Sequence, residues 1–282
     1  MHELNFCTSH RHVRLVRCDF PTQAAVSFEI GLSGLSFTVS QQQPQYKQIY
    51  ELPEHLKDMA CQEDDPALNE CIRKGLQYGI DSLKTGVPGA NIPVMDPFNI
   101  DKVTYQFSND FVKGKVSLRN IKIVGLSNIK LKKVDFTRKG NQLRTIADMD
   151  VPRISAEGNH KADVLINNVK ISSKGSFAVT LTNVVAKLTL NSEVYERDGH
   201  EYAHPRKITL EPDVGDMKLK VDGLLPEPAL NDAIVDFINE NWRQFYKILF
   251  SEAQSTWEPA MISLLDDYSA YIPLDILIVK KS

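Results

Sequence analysis

From about residue 99 to residue 222, apolar and charged side chains alternate one for one. That pattern limits the available folds more than any other feature of the chain. Val112, Gly114, Val116 and Leu118 alternate with Lys113, Lys115, Ser117 and Arg119. Ile129, Leu131 and the Val134–Phe136 stretch interleave with lysines, and Val164–Ile171, Phe177, Val179 and Leu181 continue the pattern. Met217, Leu219 and Val221 repeat it between Lys218, Lys220 and Asp222. A period of two places one face against apolar matter and the other in water, which suits antiparallel sheets and not buried parallel ones. Turn signals are sparse: Lys139-Gly140-Asn141, Glu157-Gly158-Asn159, Lys174-Gly175 and Asp198-Gly199-His200. The strands between them exceed the usual five or six residues, and strands of such length twist and curl rather than lie flat. The sheet is therefore expected to wrap around something.

Two helical patterns supply candidates. Asp65 is placed to cap a helix that opens with Pro66, carries Leu68, Ile72, Leu76, Gly79, Ile80 and Leu83 at three- and four-residue steps, and stops at Gly86. Three prolines in the Val87–Phe98 loop forbid regular structure after it. A second stripe runs from Leu230 through Ile234, Phe237, Ile238, Trp242, Phe245, Ile248 and Leu249 to Trp257, Leu264 and Tyr268. This predicts a helix of about 40 residues, roughly 60 Å long, kinked at Pro259. Its charges lie off the stripe, as in a core helix of a water-exposed protein. Tyr271–Val279 reads as a last short strand. The expected fold class is α+β: a long C-terminal helix wrapped by a highly curved antiparallel sheet, with a second helix near the N-terminus. Residues 50–282 form that domain, and residues 1–49 are an atypical extension ending in the polar linker QQQPQYKQ. The Ala24–Val39 run in the extension is a poor secretory signal, because it lies late in the chain and contains Glu29. A short strand, a foreign extension or a displaced start site fit it equally well.

Composition removes several function classes. Lys plus Arg number 33 against 36 Asp plus Glu, a net charge of −3, so the basic excess of a nucleic-acid or anionic-membrane binder is missing. No run of about 18 apolar residues offers a membrane-spanning helix. His10 with His12 and His200 with His204 have spacings compatible with a metal but lack a third ligand, so no metal is expected. No serine elbow, phosphate loop, dinucleotide glycine triplet or HExxH run is present, and no cofactor is expected. Asp266 and Asp267 are adjacent on a helix and point apart, which is unsuited to paired acid–base work. The chain does not read as an enzyme. Cys61 and Cys71, ten residues apart, either form a bridge tying the lead-in to the first helix, for about 2–3 kcal/mol, or remain two reduced thiols. The apolar inner faces leave two readings open: a packed core, or an elongated cavity for a lipid-like ligand.

Particular residues then carry a resemblance. Leu52-Pro53, Cys61, the run from Asp65 to Cys71, Gly86–Pro88 and Ile92–Pro97 resemble the opening of the insect juvenile-hormone-binding-protein and takeout family. Leu126-Ser127, the run from Phe237 to Trp242 and Ile272–Asp275 extend the similarity over about residues 50–279. The resemblance implies a tubular fold with a hydrophobic tunnel, secretion, and carriage of juvenile hormone, other terpenoids or fatty-acyl compounds. It also places the family's first disulfide on Cys61 and Cys71. The first 50 residues have no family counterpart, and nothing marks a site for an epoxide or an ester.

Ile72, Leu76, Ile80, Val94, Phe98, Phe107, Phe177, Ile238, Trp242 and Phe245 are expected to face the tunnel, with plain core as the alternative for each. The expected partner is a small hydrophobic ligand, without nucleic acid or a transmembrane segment, and the expected state is a monomer. Burying ten methylenes gains about 8 kcal/mol gross, enough for micromolar binding after ordering costs. The competing reading is an interaction protein that keeps the fold with a filled tunnel.

Overall fold

The computed structural model describes residues 26–27, 36–39, 48–87, 94–108, 112–166 and 169–280. In chain order come β1 (Val26–Ser27), β2 (Ser36–Val39), β3 (Cys61–Gln62), α1 (Leu68–Asp81), β4 (Phe98–Ser108), β5 (Val112–Val124), β6 (Lys130–Lys139) and β7 (Gln142–Ile166). They are followed by β8 (Val169–Arg197), β9 (His200–Val221), α2 (Pro228–Glu240), α3 (Trp242–Ser269), α4 (Leu274–Leu277) and β10 (Ile278–Val279). The main sheet is antiparallel in the order β1-β2-β4-β5-β7-β8-β9. Strand β6 pairs with residues 142–150 of β7, on the edge that β5 occupies further along. Strands β3 and β10 form a separate parallel pair. The expected α+β class holds, with a large curved antiparallel sheet and the helices packed on it.

Strand β8 has 29 residues, which would reach roughly 95 Å if straight, while a compact domain of this length has a radius of gyration of about 19 Å. Bending is therefore obligatory. On a flat sheet β6 and β9 would stand three strand spacings apart, about 14 Å. Yet Arg138 of β6 makes two hydrogen bonds of 2.8 Å to the Glu201 carboxylate of β9. The sheet has curled until these two strands face each other.

A crease shows how the curl is built. Pro152 and Arg153 of β7 are both exposed, between inward-facing Val151 and Ile154. At the same level Asn183 of β8 has φ +52°, and Gly215 and Asp216 of β9 both turn outward. Pro152 has no N–H for the ladder, asparagine tolerates the left-handed region, and glycine avoids a clash, since a Cβ on Gly215 would lie 2.8 Å from the Asn183 Cβ. Each strand therefore changes the phase of its alternation at one line across the sheet.

Both outer edges of the four-stranded part are covered by helices. On α1, the Gln77 amide accepts from the Leu131 N–H at 2.7 Å and donates to the Ile129 carbonyl at 3.0 Å. Asn69 accepts from the Phe136 N–H, and Arg73 donates to the Leu131 carbonyl. On α2, Asn239 accepts from the Leu219 N–H at 2.8 Å and donates to its carbonyl at 2.9 Å. Buried Asn231 accepts from Leu224 N–H and donates to the Val221 carbonyl. These amides stand where a further strand would pair, which removes the hazard of a free edge.

Several local expectations need correction. Glu157-Gly158-Asn159 and Lys174-Gly175 are not turns but lie inside β7 and β8. Glycine is needed there for close approach: a Cβ on Gly158 would press on the Phe177 ring and the Arg119 carbonyl, and one on Gly175 would collide with the Asp222 carbonyl. Val164–Ile171 is not one strand, since β7 ends at Ile166 and β8 begins at Val169 in mutual register. The long C-terminal helix is interrupted at Asn241, whose φ of −111° and ψ of 21° leave helical geometry, whereas the helix runs on through Pro259. Tyr271–Val279 contains a short helix, α4, before its two strand residues. Within Ala24–Val39, Val26–Ser27 and Ser36–Val39 are strands.

Candidate functional site

The concave face of the sheet is the candidate site. Its centre is an apolar cluster gathered from both sides of the crease. Met149, Val151, Val184, Ala186, Val214 and Met217 come from the long strands, Leu131 and Val134 from β6, and Trp242 from the first turn of α3. Ile72 and Ile80 of α1 and Tyr246 of α3 pack against it. Trp242 is 6% exposed, its ring lies edge-on to Tyr246 at 6.2 Å, and the Arg243 guanidinium covers it at 4.5 Å. Burial pushes the Tyr246 phenol up to about 12, with the Asp213 carboxylate adding to the effect.

The sequence-derived candidates distribute unevenly over this face. Ile72, Ile80 and Trp242 meet in the cluster. Phe98 on β4 and Ile238 on α2 are half-buried, as are Phe177 on β8, against Gly158, and Phe245 on α3, edge-on to Phe237 at 6.1 Å. Leu76 and Val94 are 44% and 52% exposed. Phe107 pairs with Gly114 in the β4–β5 register, and its side chain lies outside the described residues, as do His10 and His12.

Residues that the motifs single out form the frame around this face. Asp96 is buried and accepts hydrogen bonds from Gly125 N–H, Ser127 N–H and the Ser127 hydroxyl at 3.0, 2.9 and 2.6 Å. Burial pushes its carboxyl up, but these bonds outweigh that and hold it below the usual range. Cys61 and Cys71 form a disulfide, with Cα atoms 5.8 Å apart. Pro273 and Leu274 are buried, and Asp275 meets His200 at 3.1 Å. His204 pairs with Asp266 of α3, so the two histidines at metal-like spacing hold the C-terminal segment instead.

The convex face is polar. Lys102, Lys115, Ser117, Arg119, Lys161 and Asp163 line a surface depression there, which suits no apolar ligand. The sequence reading missed three polar residues of the concave face: Tyr105 on β4, His160 on β7 and Ser173 on β8. Their period-two phase could have found them, but only with the cross-strand register in hand.

The family sequence model described as haemolymph juvenile hormone binding protein matches residues 34–279, so residues 34–49, expected to lie outside the family, fall within the match. The Circadian clock-controlled protein daywake of Drosophila melanogaster is 20% identical over 215 residues, covering 73% of this chain and 82% of that protein. The crystal structure of Epiphyas postvittana Takeout 1 superposes with a TM-score of 0.61 at 19% identity, covering 78% of this chain and 99% of that one. At that identity the superposition speaks for the fold.

Proposed function

This chain belongs to the haemolymph juvenile hormone binding protein family, whose members bind small lipophilic molecules, and from that premise we propose a specific carrier role. It is an extracellular monomer whose domain over residues 50–282 holds a juvenile-hormone, terpenoid or fatty-acyl type ligand in an apolar tunnel between the concave sheet and helices α1 to α3. Ile72, Ile80, Phe98, Phe177, Ile238, Trp242 and Phe245 line it, with Leu76, Val94 and Phe107 assigned to its ends. One observation carries the reading. Phe245, Tyr246, Phe250, Trp257, Ile262, Leu264 and Leu265 of α3 are all only half-buried, although the helix runs along β9. Close-packed cores enclose such side chains, so a helix with this many partly covered apolar residues fits a wall better than a plug. The disulfide suits the oxidising compartment that secretion implies.

A second reading, an interaction protein with a filled interior, draws on the tight cluster around Trp242. Titrating the purified protein with a fluorescent fatty acid or terpenoid separates the two. Saturable uptake at micromolar concentration, with a co-purifying lipid mass in native mass spectrometry, is the expected result. Absence of uptake together with a bare monomer mass would overturn the carrier role.

A further inference from the structure

We infer that His160 and Ser173, on the same face as Tyr105, form a polar anchor in the concave wall that selects a lipophilic alcohol. The inference rests on the carrier reading and specifies the chemistry of one end of its ligand.

The register places the three residues on a single face. Tyr105, Val116, Ala162 and Ser173 follow one another across β4, β5, β7 and β8, and the next row is Val103, Leu118, His160 and Gly175. Strand β8 keeps this phase through Phe177, Val179 and Leu181, and the last two pack against the central cluster, so the row faces the concave side. His160 and Ser173 are diagonal neighbours, about 7–8 Å apart on such a ladder, within reach of one shared ligand oxygen. Their surroundings are Val103, Leu118, Val116, Ala162 and Phe177.

Both are deeply buried, at 7% and 9% exposure. Buried polar groups are nearly always hydrogen-bonded. The His160 Nε2 lies 2.8 Å from the Asp222 carbonyl oxygen, an approach made possible by the missing side chain of Gly175. A carbonyl only accepts, so Nε2 carries the proton, and in the neutral ring Nδ1 is a bare acceptor. Among the described residues neither Nδ1 nor the Ser173 hydroxyl has a hydrogen-bond partner. The Tyr105 hydroxyl likewise has none, and burial pushes that phenol up.

The donor and acceptor inventory sets the ligand class. An alcohol oxygen donates its proton to Nδ1 and accepts from the Ser173 hydroxyl, satisfying both. An ether or ester oxygen only accepts and leaves Nδ1 unpaired. A carboxylate has no proton to donate and turns negative charge towards a lone pair. A site built around a ligand hydroxyl rejects analogues that lack it, because its own buried groups are then stranded.

The test compares 1-hexadecanol, its methyl ether and palmitate, each displacing a fluorescent naphthylamine probe from the full chain. The alcohol is expected to bind about tenfold tighter than the ether. The ether oxygen accepts from Ser173 as the alcohol does, so Ser173→Ala should weaken both alike, about threefold to fivefold, and leave their ratio unchanged. His160→Leu should remove the preference, and the common loss of affinity in Ser173→Ala carries the test if that variant fails to fold. Equal binding of alcohol and ether, tighter binding of palmitate, or affinities untouched by Ser173→Ala overturns the anchor and leaves the carrier role intact. Failure of all three compounds to displace the probe overturns the carrier role itself.

Discussion

Helices α1 and α2 solve the same problem at opposite edges of one sheet, but with different security. Gln77 on α1 and Asn239 on α2 each offer one acceptor and one donor to a strand backbone, at 2.7–3.0 Å. A side-chain amide carries the same two groups as a peptide unit, so it can occupy the place of a missing strand residue. At the β6 edge this clasp is backed by Arg73, Asn69, the disulfide to Cys61 and the burial of Ile72 and Ile80. At the β9 edge the described support is Asn231, Val235 and the Arg243 contact to the Gly215 carbonyl. Redundancy at one edge predicts unequal sensitivity to the same chemical injury.

The largest effect should come from removing the redundancy. Cys61→Ser with Cys71→Ser is expected to cost about 2–3 kcal/mol, read from denaturant midpoints. Next, Asn239→Leu strands the Leu219 N–H and carbonyl together and should cost about 2 kcal/mol. Gln77→Leu removes the matching pair at the other edge, yet should cost only about 1 kcal/mol, because Arg73 and the disulfide keep α1 in place. Repeating Gln77→Leu without the disulfide sharpens the contrast. Its cost should rise towards that of Asn239→Leu, and strict additivity would show that the disulfide does not support the clasp.

The smallest expected effect concerns the ion pair that joins the two edges directly. Arg138, by its hydrogen bonds, and Lys280 after it hold the Glu201 carboxyl down at about 2. A depressed carboxylate contributes its full stability above its ordinary value of 4.5 and loses it as pH falls through about 2. After discounting for solvent screening, about 1 kcal/mol should disappear across that window. Arg138→Gln should flatten the acid limb of a stability–pH profile there, and an unchanged limb would refute the assignment.

Much of this frame can be read in the sequence because it rests on local rules. Period-two alternation gives the strands, and three- and four-residue spacing gives α1 and the Trp242 stripe. The first helix ends at Asp81, short of Gly86, and a 3-10 turn over Ser82–Lys84 leads to that glycine at φ +68°. What failed depends on tertiary approach. Gly158 and Gly175 look like turn residues, and only the neighbouring Phe177 ring and Asp222 carbonyl reveal why they lack side chains. The break at Asn241 rather than Pro259 is equally silent in a helical stripe. For the candidate site the limit lies elsewhere. The motif residues Asp96, Asn239 and Pro273 hold the frame, whereas His160 and Ser173 sit in polar-looking stretches whose facing depends on cross-strand register.

The crease at Pro152, Asn183 and Gly215 has a consequence for how this molecule tolerates change. Deleting one residue from β8 near Asn183 would not merely shorten a strand. Everything downstream in that strand would turn inside out, sending Ala186 and Leu188 into water and lysine into oil. Only a coordinated edit in all three strands would restore the interior, so length variation should be confined to hairpin tips.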